Sequence, residues 1–176
     1  MPLTLYHAMH STCSQKARIC LYEKGVEWES RLVDLESKEQ VSQAYLRLNP
    51  NGVVPTLVHD GVPIVDSSVI CEYLDERFEN SPLSPANPLD RARMRAWMRY
   101  FEEVPTAAVR VPSFNGAFLY RFAGLDDVAF RNEQADLRPL RKQFYRRMGP
   151  KGFSQADVEA SVEQLSRTVD RMEAAL

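Results

Sequence analysis

Apolar and polar positions change their spacing along the chain, and those changes mark its elements. Leu3-Thr4-Leu5-Tyr6 is a short strand pattern, followed by helical spacing over Cys13–Lys24 with Ala17, Cys20 and Leu21 on one face. Gly25 is a natural stop for that helix. Trp28–Leu32 reads as the next strand and Glu39–Leu48 as a short helix. Thr56–His59 and Val62–Val65 are β-rich runs joined by Asp60-Gly61, the dipeptide that favours a type I′ turn. A helix follows at once, with Val69, Ile70, Tyr73, Leu74 and Phe78 on one stripe. The order is β-α-β-α-β-β-α: a βαβ start implies parallel strands, and the closing hairpin adds an antiparallel edge.

After residue 80 the pattern changes. Ser81–Pro88 carries three prolines in eight residues and reads as a linker. Beyond it the chain is helical or irregular, with no convincing strand. Asn87 can cap a helix that has Pro88 at its first position, with a stripe Leu89, Ala92, Ala96, Trp97, Tyr100, Phe101 and Val104. Ser154 caps a last helix, with Asp157 in its first turn and Val158, Val162, Leu165, Val169, Met172 and Leu176 on a heptad-like stripe that suits a bundle helix. The expected layout is an α/β domain over 1–80, a linker over 81–88 and an all-α domain over 89–176.

Composition narrows the classes of function. The 176 residues are 44% hydrophobic and 26% charged, as for an ordinary globular chain. With 22 Lys+Arg against 24 Asp+Glu, the net charge of −2 gives no global attraction for nucleic acid. The arginine runs at 91–99 and 138–147 read as solvated helix faces. No apolar run approaches the roughly 18 residues of a membrane span, and Met1–Tyr6 has no signal-peptide pattern. Cys13, Cys20 and Cys71 are an odd count without metal-ligand spacing, so no metal is expected and a reducing cytoplasm is.

The most informative stretch is Asn49–Ser68. Asn49-Pro50-Asn51-Gly52 gathers structure-breaking residues, Pro55 stands at a strand entrance where it removes a ladder donor, and Asp66-Ser67-Ser68 opens a helix straight after the second strand. A strand mouth close to a helix N-terminus suits a peptide-like anion.

These motifs resemble the cytosolic glutathione S-transferases. The resemblance rests on residues 48–57 (Leu-Asn-Pro-Asn-Gly-Val-Val-Pro-Thr-Leu), Asp66-Ser67, residues 69–74 (Val-Ile-Cys-Glu-Tyr-Leu), and residues 85–88 (Pro-Ala-Asn-Pro) with the arginine-rich helix after them. Within that family, Tyr22–Gly25, Trp97, Phe114–Phe118, Tyr145–Arg147, Gly152-Phe153 and the segment 166–176 resemble the bacterial β-aryl etherases, which split lignin-type ethers with glutathione. The resemblance implies a thioredoxin-like N-terminal domain with an all-α C-terminal domain, glutathione as cosubstrate, a small aromatic electrophile and a homodimer. The family continues for several helices beyond the position of Leu176, so the helical domain is expected to be incomplete and the last apolar stripe to need a cover.

The same resemblance assigns candidate roles. Val54 presents its backbone to the cysteinyl part of glutathione in a small strand addition, and Val54-Pro55 is expected to be cis, where the proline read alone suits an ordinary trans edge position. Ser67 and the helix amides meet the γ-glutamyl carboxylate and Asp66 the ammonium; both residues also suit plain N-caps. Gln40, with Lys38 as the alternative, falls where the family's second helix reaches the glycyl end. The thiol activator is sought in His10–Lys16, where a hydroxyl and helix-start amides favour thiolate. Alignment with the etherases points to Ser14. Residues 11–14 (Ser-Thr-Cys-Ser) also resemble the zeta-class signature, and Cys13 stands where the beta class has a cysteine, so Ser11 and Cys13 remain alternatives. Tyr6 and His59 read as packing and structural residues. Trp97, Phe101, Phe114, Phe118 and Tyr120 are nearest to where an electrophile would sit, although most suit a bundle core. Three functions remain open: a glutathione transferase or etherase, a non-catalytic binding module of the same fold, and a zeta-like isomerase or Cys13-based redox enzyme.

Overall fold

The computed structural model describes residues 2–176, apart from the side chain of Pro139. Residue contacts divide the chain into Met1–Arg91 and Ala92–Leu176, and each unit is described by itself.

In the first unit, β1 (Leu3–His7), α1 (Thr12–Glu23), β2 (Glu29–Leu32), α2 (Gln43–Leu46), β3 (Thr56–His59), β4 (Val62–Val65) and α3 (Ser67–Arg77) follow in order. The sheet order is β2-β1-β3-β4, with β1 and β2 parallel and the other pairs antiparallel. Leu3, Leu5 and Leu57 from the sheet pack on Ala17, Cys20, Leu21, Ile70 and Leu74 from α1 and α3. These are the positions the apolar stripes mark.

The helix expected over 39–48 is interrupted. Glu39–Val41 forms a 3₁₀ turn, Ser42 is extended (φ −66, ψ 151), and its side chain accepts from Tyr45 N–H to start the four-residue α2. Serine competes for backbone donors outside a helix, and here it resets the chain.

Lys24 ends α1 fully buried. Its Nζ pairs with Asp75 Oδ1 at 2.9 Å and donates to the Ser81 carbonyl, while Asn80 donates to the Lys24 carbonyl. Asp75 also accepts from Leu83 N–H at 2.7 Å and Ser84 N–H at 2.9 Å. These bonds fasten the proline-rich segment to the first unit. They also hold the Asp75 carboxyl down at about 2, through hydrogen bonds that outweigh its burial.

The second unit holds most of α4 (Pro88–Glu103), the short helices α5 (Pro105–Ala108), α6 (Arg110–Ser113) and α7 (Asp127–Phe130), then α8 (Lys142–Met148) and α9 (Gln155–Glu173). Asn87 Oδ1 accepts from Leu89 N–H at 2.8 Å, the cap its sequence suggests. The core is aromatic: Phe122, Phe130, Tyr145 and Phe153 with Val111, Ala135 and Met148, against which Phe114 packs. Ser154 and Asp157 form a reciprocal capping box on α9. The heptad stripe of α9 is only partly inward. Ser161 and Thr168 are the buried positions, Thr168 meeting Tyr100 Oη at 2.9 Å, whereas Val162, Val169 and Met172 are exposed. None of the five aromatics placed near the electrophile is fully buried, and Tyr120 is exposed. Among the described residues no helix is long and apolar enough to cross a membrane.

Candidate functional site

Strand register brings the separate candidates together. Tyr6, near the end of β1, pairs with Thr56 at the start of β3, and Thr56 pairs with Val65 at the end of β4. Three chain segments therefore leave or enter the sheet at one end: the loop from His7 into α1, the turn ending in Val54-Pro55, and Asp66-Ser67 opening α3. The parallel partner β2 ends there too, since Leu32 pairs with His7.

The loop into α1 is held from both sides. Arg18 donates to His7 Nδ1 at 3.1 Å and to the Ala8 and Met9 carbonyls at 3.3 Å each. A guanidinium only donates, so His7 Nδ1 accepts, and its Nε2–H donates to Ser30 Oγ at 2.8 Å. Burial first, and then the Arg18 charge, lower the His7 pKa. Ser14 Oγ accepts from Ala8 N–H at 3.3 Å, and Ser11 caps α1 by accepting from Ser14 N–H at 3.2 Å. The three activator candidates differ in exposure: Ser14 is wholly buried, while Ser11 and Cys13 are half-buried.

Asn49, Tyr45 and Thr56 hold the turn before Pro55. Tyr45 Oη donates to the Val53 carbonyl at 2.8 Å, so the Thr56 hydroxyl, 2.9 Å away, donates to Tyr45. Asn49 Nδ2 reaches the same carbonyl at 2.9 Å and Thr56 Oγ1 at 3.0 Å. Burial pushes the Tyr45 phenol up to about 12. Gly52 has φ +60, and a Cβ there would lie 3.1 Å from Val41 Cγ1, so the turn requires glycine. Val54 is half-buried, Pro55 is buried and their peptide bond is cis.

Gln40 lies beneath this turn, its carbonyl oxygen 3.4 Å from that same Cβ position. Its Oε1 is buried without a hydrogen-bond partner. Lys38, the alternative, adopts φ +64 just before the 3₁₀ turn.

At the third segment Asp66 has φ +75 and caps α3, its Oδ1 accepting from Ser68 N–H at 2.9 Å and Val69 N–H at 3.2 Å. Ser67 is buried and Asp66 is exposed. Lys16 Nζ donates to Ser68 Oγ at 2.7 Å, tying α1 to the start of α3. Sequence reasoning missed Lys16, Arg18, His7, Tyr45, Asn49 and Thr56. Asn49 was visible only as a turn-former; the others sit in ordinary strand or helix patterns. His59 meets Tyr73 Oη at 2.5 Å and stacks on Phe78, a structural role.

The family model for the glutathione S-transferase N-terminal domain matches residues 5–82. Protein LigF of Sphingobium sp. is 44% identical over 105 residues, covering 58% of this chain and 41% of that protein. Glutathione S-transferase 1 of Dianthus caryophyllus is 41% identical over 90 residues, 51% of this chain and 41% of that one. A probable maleylacetoacetate isomerase of Caenorhabditis elegans is 44% identical over 92 residues, 52% of this chain and 42% of that one. The chain thus matches well under half the length of these curated relatives. The crystal structure of the beta-etherase LigF superposes with a TM-score of 0.87 at 33% identity, covering 99% of this chain and 73% of that one. A sheet-end site of the observed topology, a family match across that unit and a structural relative aligned over nearly the whole chain lead to one conclusion: this chain belongs to the glutathione S-transferase family.

Proposed function

We propose that the protein binds glutathione at the shared end of the sheet and directs its thiolate onto an electrophilic carbon, with β-aryl ethers as the substrate class. The observation that carries this is the convergence of the α1 start, the Val54 backbone and the α3 start at one sheet end. Val54 offers strand pairing to the cysteinyl unit, and the amides and Ser67 at α3 suit a carboxylate. Asp66 suits the ammonium group. The unpartnered Gln40 Oε1 beside the turn suits an amide donor near the glycyl end.

Ser11 is the activator that exposure favours over Ser14. Ser14 is wholly buried and its oxygen already accepts from Ala8. Ser11 is half-buried; each serine oxygen accepts one backbone N–H and keeps its hydrogen to donate, so exposure alone separates them. A hydroxyl donor at a helix start stabilises thiolate over thiol. The thiolate forms a C–S bond at the carbon bearing the aryloxy group, the C–O bond breaks, and its electron pair leaves with the phenolate. Holding both reactants together lowers the entropic part of the barrier. The likeness to the beta-etherase LigF supports the ether as substrate.

The domains follow the same reading: 1–80 for glutathione, 81–88 as linker and 89–176 for the electrophile, in a cytoplasmic homodimer. A second reading, glutathione-dependent isomerisation, is favoured by the Ser-Thr-Cys-Ser run at 11–14 together with the likeness to the maleylacetoacetate isomerase. The test is thermal shift with glutathione, then turnover with glutathione and a β-aryl ether model compound. Stabilisation with phenol release is expected. Absence of any shift overturns the binding site, and a shift without phenol release overturns the etherase reaction. An isomerase would instead turn over a cis-alkene substrate with no net loss of glutathione.

A further inference from the structure

In the second unit a cleft of about 400 Å³ opens between two successive segments. Asp127, Phe130 and Arg131 line it from α7 and the turn after it, and Tyr145, Arg146 and the Gly149-Pro150 turn line it from the end of α8. Its volume lies at the low end of the roughly 300–1,000 Å³ of small-molecule sites. The floor is aromatic and fixed: Phe130 and Tyr145 are buried in the core cluster, with ring centroids 6.3 Å apart.

The charge around that floor is positive. Two guanidinium groups line the cleft against one carboxylate, Asp127. Arg131 makes no ion pair among the described residues. Arg146 pairs with Asp136 at 3.2 Å, a carboxylate it shares with Lys142 at 2.9 Å. Arg138 packs on Tyr145, its guanidinium carbon 4.8 Å from the ring centroid. It is buried, yet its side-chain hydrogen-bond partners among the described residues are neutral: the Glu133 carbonyl, the Gln134 carbonyl and Gln134 Oε1. A buried cation without a carboxylate leaves its charge uncompensated. The same sign is felt at the Tyr145 phenol, which burial pushes up and Arg138, Arg141, Arg121 and Arg110 each pull back.

We infer that this cleft binds a small aromatic carboxylate, its ring against Phe130 and Tyr145 and its carboxylate on Arg131 and Arg146. A planar carboxylate matches the guanidinium fork, and a flat ring matches the aromatic floor. The site lies within the helical unit and uses none of the sheet-end groups, so it is independent of the glutathione proposal.

Calorimetric titration of the whole chain with sodium benzoate tests it, with benzyl alcohol as the neutral analogue. One saturable site is expected, with benzyl alcohol at least about tenfold weaker. Arg131→Gln breaks no ion pair and should weaken benzoate by about tenfold with an unchanged melting temperature; Arg146→Gln should act in the same direction. Ser11→Ala should leave benzoate affinity unchanged. Absence of saturable binding, equal affinity for benzyl alcohol, insensitivity to Arg131→Gln, or competition by glutathione would each overturn the assignment.

Discussion

Asp75→Asn isolates the knot that fastens residues 80–84 to the end of α1. The carboxylate takes Lys24 Nζ at 2.9 Å and two backbone N–H groups. Lys24 and Asp75 have side-chain exposures of 0% and 8%, so solvent screens the pair little. Asp75 is lowered from 3.8 to about 2. At about 1.4 kcal/mol per pH unit, that depression is worth roughly 2 kcal/mol of stability at neutral pH. Seen from Lys24, the substitution leaves a buried ammonium facing only neutral acceptors, the new amide oxygen at position 75 and the Ser81 carbonyl, and breaking a buried ion pair typically costs about 3–5 kcal/mol. These are two views of one interaction and are not summed; a loss of about 3 kcal/mol is expected. Because the folded-state pKa is depressed, the contribution is complete above the unfolded value near 3.8 and disappears as pH falls towards about 2. Urea unfolding of both proteins across a pH series reads this directly. The stability gap should be flat from neutral pH to about 5 and close between about 5 and 2. A gap under about 1 kcal/mol at neutral pH, or one that persists unchanged in acid, would refute the role given to the pair.

Three further outcomes are expected. Ser11→Ala should cost about 1 kcal/mol as a lost cap and lower phenol release from a β-aryl ether by about a hundredfold or more; Ser14→Ala should cost comparable stability with a smaller effect on turnover. Asn49→Ala strips the Val53 carbonyl and Thr56 of a buried donor, so a loss of about 2–3 kcal/mol is expected in chemical denaturation, together with weaker glutathione binding in the thermal-shift assay. Gly52→Ala combines a left-handed φ with a 3.1 Å approach to Val41, and should lower stability by roughly 1–3 kcal/mol, measured as a reduced urea midpoint.

Much of the first unit was legible in the sequence because its elements are short and sharply bounded. The β1 and hairpin strands, the α1 stop at Gly25 and most of the α3 stripe follow from period and turn chemistry, and the structure places them there, except that Val69 faces outward. The helix expected over 39–48 breaks because Ser42 offers its side chain to Tyr45 N–H, a local choice that apolar spacing does not encode. The second unit was read less well. Pro105 opens α5, Pro112 lies within α6 and Gly116 lies in the turn that follows, so breakers are present there, but apolar spacing does not say how the short pieces between them pack around the aromatic cluster.

The sequence by itself determined the family and the residue types available for chemistry: a serine-rich helix start, a Val-Pro strand entrance and an Asp-Ser helix opening. Each of those is a local signal, carried by a few adjacent residues with strong backbone preferences. Only the tertiary structure decided that the three meet, because strand register sets Tyr6 against Thr56 and Thr56 against Val65. It also sets how exposed each candidate hydroxyl is. Ser11 and Ser14 are chemically identical, and burial of Ser14 against the Ala8 amide separates them, since exposure depends on how distant segments pack and leaves no mark on the residues themselves.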